Sequence, residues 1–200
     1  EGIRIRAGHW KIKGEPTAIL VDFTSLIPRK DEILKKLWET YHVDSISGQW
    51  DYIEPVLFGY AAGAVIASYV ENFCTATDKI AAHFHEWMTA AGGLYLRRHA
   101  PYVATLFTTH ATVMGRCIAG NHLPLYTDLT KFNADELARQ FNVVAKHSIE
   151  KAAAAYHDAF VTVSDITANE CKFLLGREPD CITPNGFEND FVWTGEEYDA

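Results

Sequence analysis

Three histidines stand at the ends of two apolar runs, with a spacing from which a ligand site could be built. His83 and His85 close the first run, and His110 follows the second run, 25 residues after His85. Each run is short and apolar, which is typical of a buried strand. In an open α/β sheet, ligands bind where the parallel strands end. The sequence therefore predicts one site assembled from two strand ends.

The spacing of His83 and His85 leaves several roles open. Alternate residues of a strand face the same side, so both imidazoles would point to one face of the sheet. They could hold a metal ion, with His110, Asp22 and Asp165 as further ligands. They could also be core histidines bonded to the backbone, or they could hydrogen-bond a polar ligand. The ligand role is preferred, and the metal site is the least favoured.

Other polar and aromatic residues near these histidines have both a structural and a functional interpretation. Trp87 could stack on a sugar, but a tryptophan at the start of a helix is more often part of the core, which is preferred. Thr108, Thr109 and Thr112 could cap a helix, or could bind ligand hydroxyls or phosphate. Asn185 begins an Asn-Gly turn. It follows a third short apolar segment, so it could lie near the histidines.

Alternating strands and helices are needed to position these residues. Strands are predicted over residues 17–23, 78–84, 102–107, 158–163 and 181–183, with helices between them. One of these helices, 52–72, contains an uncharged run that is too short for a confident membrane span and is predicted to be a buried core helix. Another starts at an Asn133 cap and runs to about Tyr156. The pattern predicts an α/β fold with a parallel sheet and helices on both faces.

Composition limits the class of protein. Of the 200 residues, 48% are hydrophobic, which is enough for a packed core, and the net charge of −8 argues against nucleic-acid binding. The four cysteines form no C-x-x-C pair, which favours free thiols in a reducing compartment, and we expect a cytoplasmic protein with no membrane contact. The chain opens without methionine, so we expect it to be part of a longer polypeptide.

Common catalytic motifs do not occur. The sequence contains no G-x-G-x-x-G, no Walker A loop, no G-x-S-x-G and no H-E-x-x-H. This excludes the usual signatures of dinucleotide, nucleotide triphosphate, serine-hydrolase and zinc-protease sites. Spacing alone therefore predicts an α/β domain with a polar site at its strand ends, and nothing more specific.

Several segments, taken in order, resemble eukaryotic-type glycogen synthase, glycosyltransferase family 3. H-F-H-E-W followed by F-T-T-H-A-T at this separation is the most specific part of the resemblance. It spans nearly all 200 residues. The matching segments are residues 8–10, 82–87, 107–112, 115–116, 150–154, 160–167 and 184–186.

The resemblance implies a GT-B enzyme with two Rossmann-like lobes across a cleft. Residues 1–200 would be a partial N-terminal lobe, a three-layer parallel-sheet domain on the acceptor side. Such enzymes are retaining hexosyltransferases that move glucose from a nucleotide-glucose, UDP-glucose or ADP-glucose, to the non-reducing end of an α-1,4-glucan, without cofactor or metal. The C-terminal nucleotide-binding lobe and a glycine-rich turn before Glu1 would be missing. We therefore expect the isolated chain to be inactive.

The resemblance also assigns residues. His85 matches the catalytic cleft histidine near the transferred glucose, and Asn185 matches a strand-end asparagine that approaches the same sugar. His110 and Thr112 match the segment lining the cleft, as substrate-binding residues. The implied partners are the glucan acceptor and the nucleotide-glucose, the latter with the second lobe. The resemblance is also compatible with a homo-oligomer.

Two alternatives of other classes remain at this point. One is a metal-dependent hydrolase that uses His83, His85 and His110. The other is a non-catalytic module that binds glucan. The first would need a ligand cluster around a metal ion, and the second would need no second lobe.

Overall fold

In the computed structural model, which describes residues 2–187, six strands form two separate sheets. The first two strands pair antiparallel as a hairpin, and the other four form a parallel sheet in the order β3-β4-β5-β6. Residue 1 and residues 188–200 of the predicted domain lie outside the described part. The strands are β1 (Arg4–His9), β2 (Thr17–Asp22), β3 (Ala81–His85), β4 (Ala104–Thr109), β5 (Ala159–Thr162) and β6 (Cys181–Ile182).

Helices connect the strands of the parallel sheet, which confirms the predicted α/β fold. A 3₁₀ turn, Thr24–Arg29, precedes the first helix, a second, Leu129–Lys131, follows the fifth, and a π-helical turn, Cys171–Leu175, extends the last. The helices are α1 (Lys30–Tyr41), α2 (Trp50–Phe73), α3 (Glu86–His99), α4 (Val113–Gly120), α5 (Leu125–Asp128), α6 (Ala134–Gln140), α7 (Val144–Tyr156) and α8 (Asp165–Glu170).

The β1–β2 hairpin corrects one prediction. Residues 17–23 were expected to be a buried strand of the parallel sheet, but β2 pairs antiparallel with β1, and its Leu20 is 63% exposed. The link between the two strands is only residues 10–16, and Trp10 N donates to Pro16 O across it. A parallel crossover needs a dozen or more residues, so such a short link returns the chain as a hairpin.

The main core lies against one face of the parallel sheet. Phe84, Phe107 and Phe160 are aligned across β3, β4 and β5 and are all buried. The rings of Phe107 and Phe160 stack with centroids 5.8 Å apart. Buried and exposed residues alternate strictly along β3, which shows that the other face of this strand is exposed. That open face carries the histidines.

Helix α2 packs against α3 at backbone contact. A Cβ built on Gly63 would lie 2.5 Å from the carbonyl oxygen of Gly92, and one on Gly59 would lie 3.0 Å from that of Thr89. By length and composition α2 could cross a membrane, but Val56 and Leu57 are buried in the main core. The prediction of a buried core helix is therefore confirmed for the first part of α2, whereas Tyr69 near its end is 52% exposed.

The helix predicted over residues 133–156 is divided in two. Its start is confirmed, because the Asn133 side chain accepts a hydrogen bond from Glu136 N, 3.2 Å away. The chain then leaves the helix after Gln140, and Asn142 takes a left-handed conformation with φ 54°. Asparagine tolerates this conformation better than most residues, so it allows the turn that separates α6 from α7.

Helix α8 and its extension begin and end as predicted. The Ser164 side chain accepts a hydrogen bond from Thr167 N at 3.2 Å. Gly176 follows the π-helical turn with φ 77°, a left-handed conformation suited to glycine. The capping serine and the terminating glycine thus bound one continuous helical segment.

Candidate functional site

The ends of β3 and β4 bring the three histidines together. His83 and His85 point to the same face of the sheet, and their ring centroids are 4.0 Å apart. The same-face prediction is therefore confirmed. His83 Nε2 lies 2.7 Å from Thr108 Oγ1. Thr108 is inside β4, which extends two residues further than predicted, so His110 is the first residue after the strand.

His85 and His110 make a direct contact. His85 Nδ1 lies 3.1 Å from His110 Nε2, so one nitrogen donates and the other accepts. Their ring centroids are 5.4 Å apart. The contact depends on the ladder register, because His85 pairs with Thr108 and places the next strand end beside it. The two motifs therefore form one cluster, as the sequence predicted.

The pKa values of His83 and His85 lie below the ordinary value for histidine. Both His83 and His85 keep an exposed edge, but partial burial of the rings lowers the pKa of each. Repulsion from His110 lowers the pKa of His85 further, and repulsion from both His85 and His110 does the same for His83. His83 and His85 are therefore neutral at neutral pH and able to donate or accept hydrogen bonds.

Glu86 holds the backbone beside the cluster. Its Oε1 accepts a hydrogen bond from His110 N at 3.0 Å. The Arg116 guanidinium lies 3.9 Å from the same oxygen. Glu86 has φ 64°, a left-handed conformation that is costly for a residue with a side chain. Such strain is typical of functional sites, where the surrounding contacts maintain it.

Thr112 is buried, unlike the other predicted site residues, His85, His110 and Asn185. It is fully buried, and its Oγ1 donates to Glu170 Oε2 at 2.8 Å. The same oxygen accepts from Gly115 N at 2.9 Å and so caps α4. Both hydrogen-bonding functions of the hydroxyl are used inside the protein. Thr112 therefore holds the segment that carries His110, and its side chain does not reach the surface.

Two buried carboxylic acids lie beneath this segment, and the sequence predicts a role for neither of them. Glu150 bonds to Thr109 and Val113, and Glu170 bonds to Thr112. Burial raises the pKa of Glu150 to about 8. Glu150 stands between Ile149 and Lys151, so no local pattern in the sequence marks it as buried.

Asn185 follows β6 at the same end of the sheet as the histidines. In the described residues β6 lies three strands from β3, a separation of roughly 14 Å at about 4.8 Å per strand. Asn185 is exposed. It therefore follows a strand that ends at the same edge of the sheet as β3, three strands away from it.

The arrangement does not favour a metal ion. Among residues 2–187, no three histidine, cysteine, aspartate or glutamate side chains are grouped as metal ligands. Of the further ligands considered, Asp22 bonds instead to Arg4 and Thr24 in the hairpin. Asp165 lies in the first turn of α8. The hydrogen bonds observed in the cluster join His83 to Thr108 and His85 to His110.

Trp87 belongs to the core, as preferred from the sequence. Its ring stacks on Tyr52 with centroids 6.0 Å apart and an interplanar angle of 13°. It is partly buried against the main core. Lys146 Nζ lies 5.4 Å from the indole centroid. These contacts fix the start of α3 directly behind the histidines.

Comparison with known proteins gives consistent matches along the chain. The family model for glycogen synthase matches residues 1–194. The chain is 34% identical over 189 residues to a glycogen [starch] synthase of Dictyostelium discoideum, covering 94% of the chain and 21% of that protein. It is also 35% identical over 187 residues to glycogen [starch] synthase isoform 2 of Saccharomyces cerevisiae. That match covers 92% of the chain and 26% of the yeast protein.

A liver glycogen [starch] synthase of Rattus norvegicus is 32% identical over 187 residues, with 92% of the chain and 26% of that protein covered. The chain thus spans only about a quarter or less of each of these relatives. The parallel sheet agrees with a Rossmann-like N-terminal lobe, and neither the matches nor the geometry favours the metal-dependent hydrolase. The family match over nearly the whole chain, with the histidine cluster at its strand ends, makes the chain a member of the glycogen synthase family.

Proposed function

We propose that this chain is the acceptor-side lobe of a retaining glucosyltransferase that extends an α-1,4-glucan at its non-reducing end. The donor would be a nucleotide-glucose, UDP-glucose in preference to ADP-glucose, bound with the help of a second lobe. The observation that carries the proposal is the hydrogen-bonded pair His85–His110 at the strand ends of a chain that matches the family over residues 1–194.

His85 would be the catalytic residue of this lobe. A neutral imidazole can donate one hydrogen bond and accept another, which suits a glucose hydroxyl. Its Nδ1 is engaged by His110, so Nε2 is the nitrogen that would meet the sugar. Holding the sugar in one orientation can supply several kcal/mol of the barrier reduction, at the order-of-magnitude level. His85 therefore orients the donor glucose while the diphosphate leaves.

His110 would bind substrate beside His85, and Asn185 would contact the sugar from the far end of the same edge. Thr112 would act through the backbone of the segment, because its hydroxyl is buried. The nucleotide diphosphate would be stabilised by fixed positive groups in the second lobe. We therefore propose that residues 1–200 alone do not transfer glucose.

A glucan-extension assay of the full-length protein tests this function. Radiolabelled UDP-glucose and ADP-glucose are offered in parallel with a maltodextrin acceptor, and His85→Ala is compared with the wild type. His122→Asn is the matched control, because His122 is exposed and has a left-handed φ of 59° that asparagine tolerates.

We expect turnover with UDP-glucose in the wild type and the control, and a strong loss in His85→Ala without loss of folding. No incorporation from either donor would contradict the proposed function. Maltodextrin binding by the 200-residue chain without any transfer by the full-length protein would favour a binding module instead. Transfer by the isolated chain would contradict the requirement for a second lobe.

The free thiols bear on where the protein works. Cys74, Cys117, Cys171 and Cys181 form no disulfide in the described structure. Free thiols are typical of reducing compartments, which supports the proposal of a cytoplasmic protein. Fractionation of cells that express the tagged full-length protein tests it.

A further inference from the structure

One buried acid connects both ends of the turn that carries His110. This turn, Thr109–Val113, is called the histidine turn below. Glu150 of α7 is fully buried beneath it. Its Oε1 lies within hydrogen-bond distance of Thr109 Oγ1, and its Oε2 accepts a hydrogen bond from Val113 N, both at 2.9 Å. A single side chain thus joins the first and last residues of the turn.

The neighbouring contacts leave the turn little freedom. Thr162 Oγ1 donates to Thr109 O at 2.8 Å, and Glu86 accepts from His110 N. On the other side, a Cβ on Gly115 would lie 2.2 Å from Glu170 Oε2, so the second acid packs directly against the helix that follows. The position of the His110 ring is therefore determined by contacts that come from β5, α3, α7 and α8.

We propose that Glu150 is a positioning residue of the candidate site: by joining Thr109 to Val113 it sets the histidine turn so that His110 Nε2 meets His85 Nδ1. The role in glucosyl transfer rests on the proposed function. The positioning itself rests on the contacts of Glu150 with Thr109 and Val113. Glu150 touches no substrate and acts only through the turn.

The protonation state of Glu150 decides which hydrogen bonds the turn makes. The titratable groups facing it are Glu86 of α3, Glu170 of α8, Cys171 after α8 and Cys117 of α4. Burial, together with Glu86 and Glu170, raises its pKa to about 8, although the two hydrogen bonds it accepts oppose this shift. Glu150 therefore carries a proton at neutral pH.

The proton adds a bond across the turn. Thr109 Oγ1 lies 2.9 Å from Glu150 Oε1 and 3.4 Å from Ala111 O. When Glu150 is protonated on Oε1, it donates to Thr109 Oγ1, and the threonine hydrogen is directed to Ala111 O. When the proton leaves to solvent, Thr109 must donate to the carboxylate instead. Ala111 O then loses this donor, next to His110.

Substitutions separate positioning from simple filling of space. Glu150→Gln keeps both contacts and reproduces the protonated acid, with its amide donating to Thr109 Oγ1 and its oxygen accepting from Val113 N. Glu150→Leu keeps the volume but removes both contacts. Thr109→Val removes the same bond from the other side and carries the test if Glu150→Leu does not fold. Ile149→Val, on the same helix and fully buried, controls for loss of packing.

The readout is the ¹³C NMR signal of the His85 and His110 rings in the full-length protein, with kcat and KM measured on the same samples. We expect wild-type histidine signals in Glu150→Gln and Ile149→Val, and displaced signals in Glu150→Leu and Thr109→Val. The displaced variants should lose up to about 100-fold in kcat with little change in KM for glucan. In the wild type the His110 signal should change with a midpoint near pH 8, and Glu150→Gln should abolish that midpoint.

Unchanged signals of both histidines in Glu150→Leu and Thr109→Val would overturn the proposal. Equal displacement in Ile149→Val would also overturn it, because the effect would then be one of packing. The proposed function fails separately: if the full-length protein transfers no glucose but the histidine signals respond as expected, the positioning stands and the activity does not.

Discussion

His85 Nδ1 and His110 Nε2 are 3.1 Å apart, so imidazoles at the ends of two neighbouring strands are joined by one hydrogen bond. A proton on each facing nitrogen would set two hydrogen-bond donors against each other. The tautomer of the His85 ring is therefore tied to that of the His110 ring. The hydrogen bonding of His85 therefore depends on His110, which follows the neighbouring strand β4.

Replacing His110 should change the acidity of His85. The pKa of His85 is lowered by burial and then by repulsion from His110. In His110→Ala the repulsion is removed, so we expect the pKa of His85 to rise, and turnover of the full-length protein to fall because the His85 ring loses its partner. A ¹³C NMR titration and initial rates measure the two effects. An unchanged pKa of His85, or an equal change in His122→Asn, would contradict this prediction.

The strained residue Glu86 allows stability and activity to be separated. Its left-handed φ of 64° is unfavourable by about 1–2 kcal/mol for residues other than glycine. Glu86→Gly relieves this strain but deletes the carboxylate that holds His110 N. We therefore expect denaturant unfolding close to the wild type but a clear loss of kcat.

Two further replacements at this position are the controls. Glu86→Gln keeps an acceptor for His110 N and should retain most of the activity. Glu86→Ala keeps the strain, loses the acceptor and should be less stable than Glu86→Gly. Full activity in Glu86→Gly would show that the contact with His110 does not matter for turnover.

Glu150 should give the folded chain a defined dependence on pH. Its pKa is about 8 when folded, against an ordinary value of 4.5 when unfolded. The stabilisation from its bound proton is complete below pH 4.5 and is lost as the pH rises to about 8. Glu150→Gln has no proton to lose. The free energy of unfolding of the wild type minus that of the variant should therefore decline across this window and then level off.

Denaturant unfolding of the 200-residue chain at several pH values within and above the window measures this difference. Taking the difference removes the contributions of other groups, such as His147, whose pKa is lowered by burial to about 4. A constant difference from pH 5 upward would mean that Glu150 is ionised in the folded chain.

Gly93 is predicted to be one of the least tolerant positions in the domain. A Cβ there would lie 1.7 Å from Nε2 of His157, a buried ring whose Nδ1 bonds to Ala153 O. Gly93→Ala should cost about 1–3 kcal/mol of stability or more. Combining it with His157→Ala should cost less than the sum of the two single changes, because the clash is already relieved.

Gly120→Ala is the control for this prediction, because a Cβ there meets nothing within 4 Å. It should leave thermal unfolding close to the wild type. Additive effects of Gly93→Ala and His157→Ala would show that the two residues do not conflict.

Local patterns predicted much of the fold and of the site. The i, i+2 spacing of His83 and His85 was enough to place both rings on one face, because strand geometry alone determines it. The capping roles of Asn133 and Ser164 were also local and are confirmed. Features that depend only on neighbouring residues, such as strand periodicity and helix caps, were therefore predictable from the sequence.

The remaining features depend on contacts between distant segments. The bond from Glu150 to Thr109 spans 41 residues, and that from Glu170 to Thr112 spans 58. Nothing in the local sequence distinguishes these acids from solvated ones. In β1 only Arg4 to Ala7 alternate polar with apolar residues, which is a short signal for a strand. The break at Asn142 has no glycine or proline to mark it.

The glycine contact between α2 and α3 has a mechanical consequence. At Gly63 and Gly92 the backbones of α2 and α3 are in direct contact. No side chain lies between them at this point that could change rotamer if one helix moved. Helix α3 begins at Glu86, the residue directly after His85. A displacement of α2 relative to the sheet would therefore move α3 with it, and through Glu86 it would shift His85 at the end of β3.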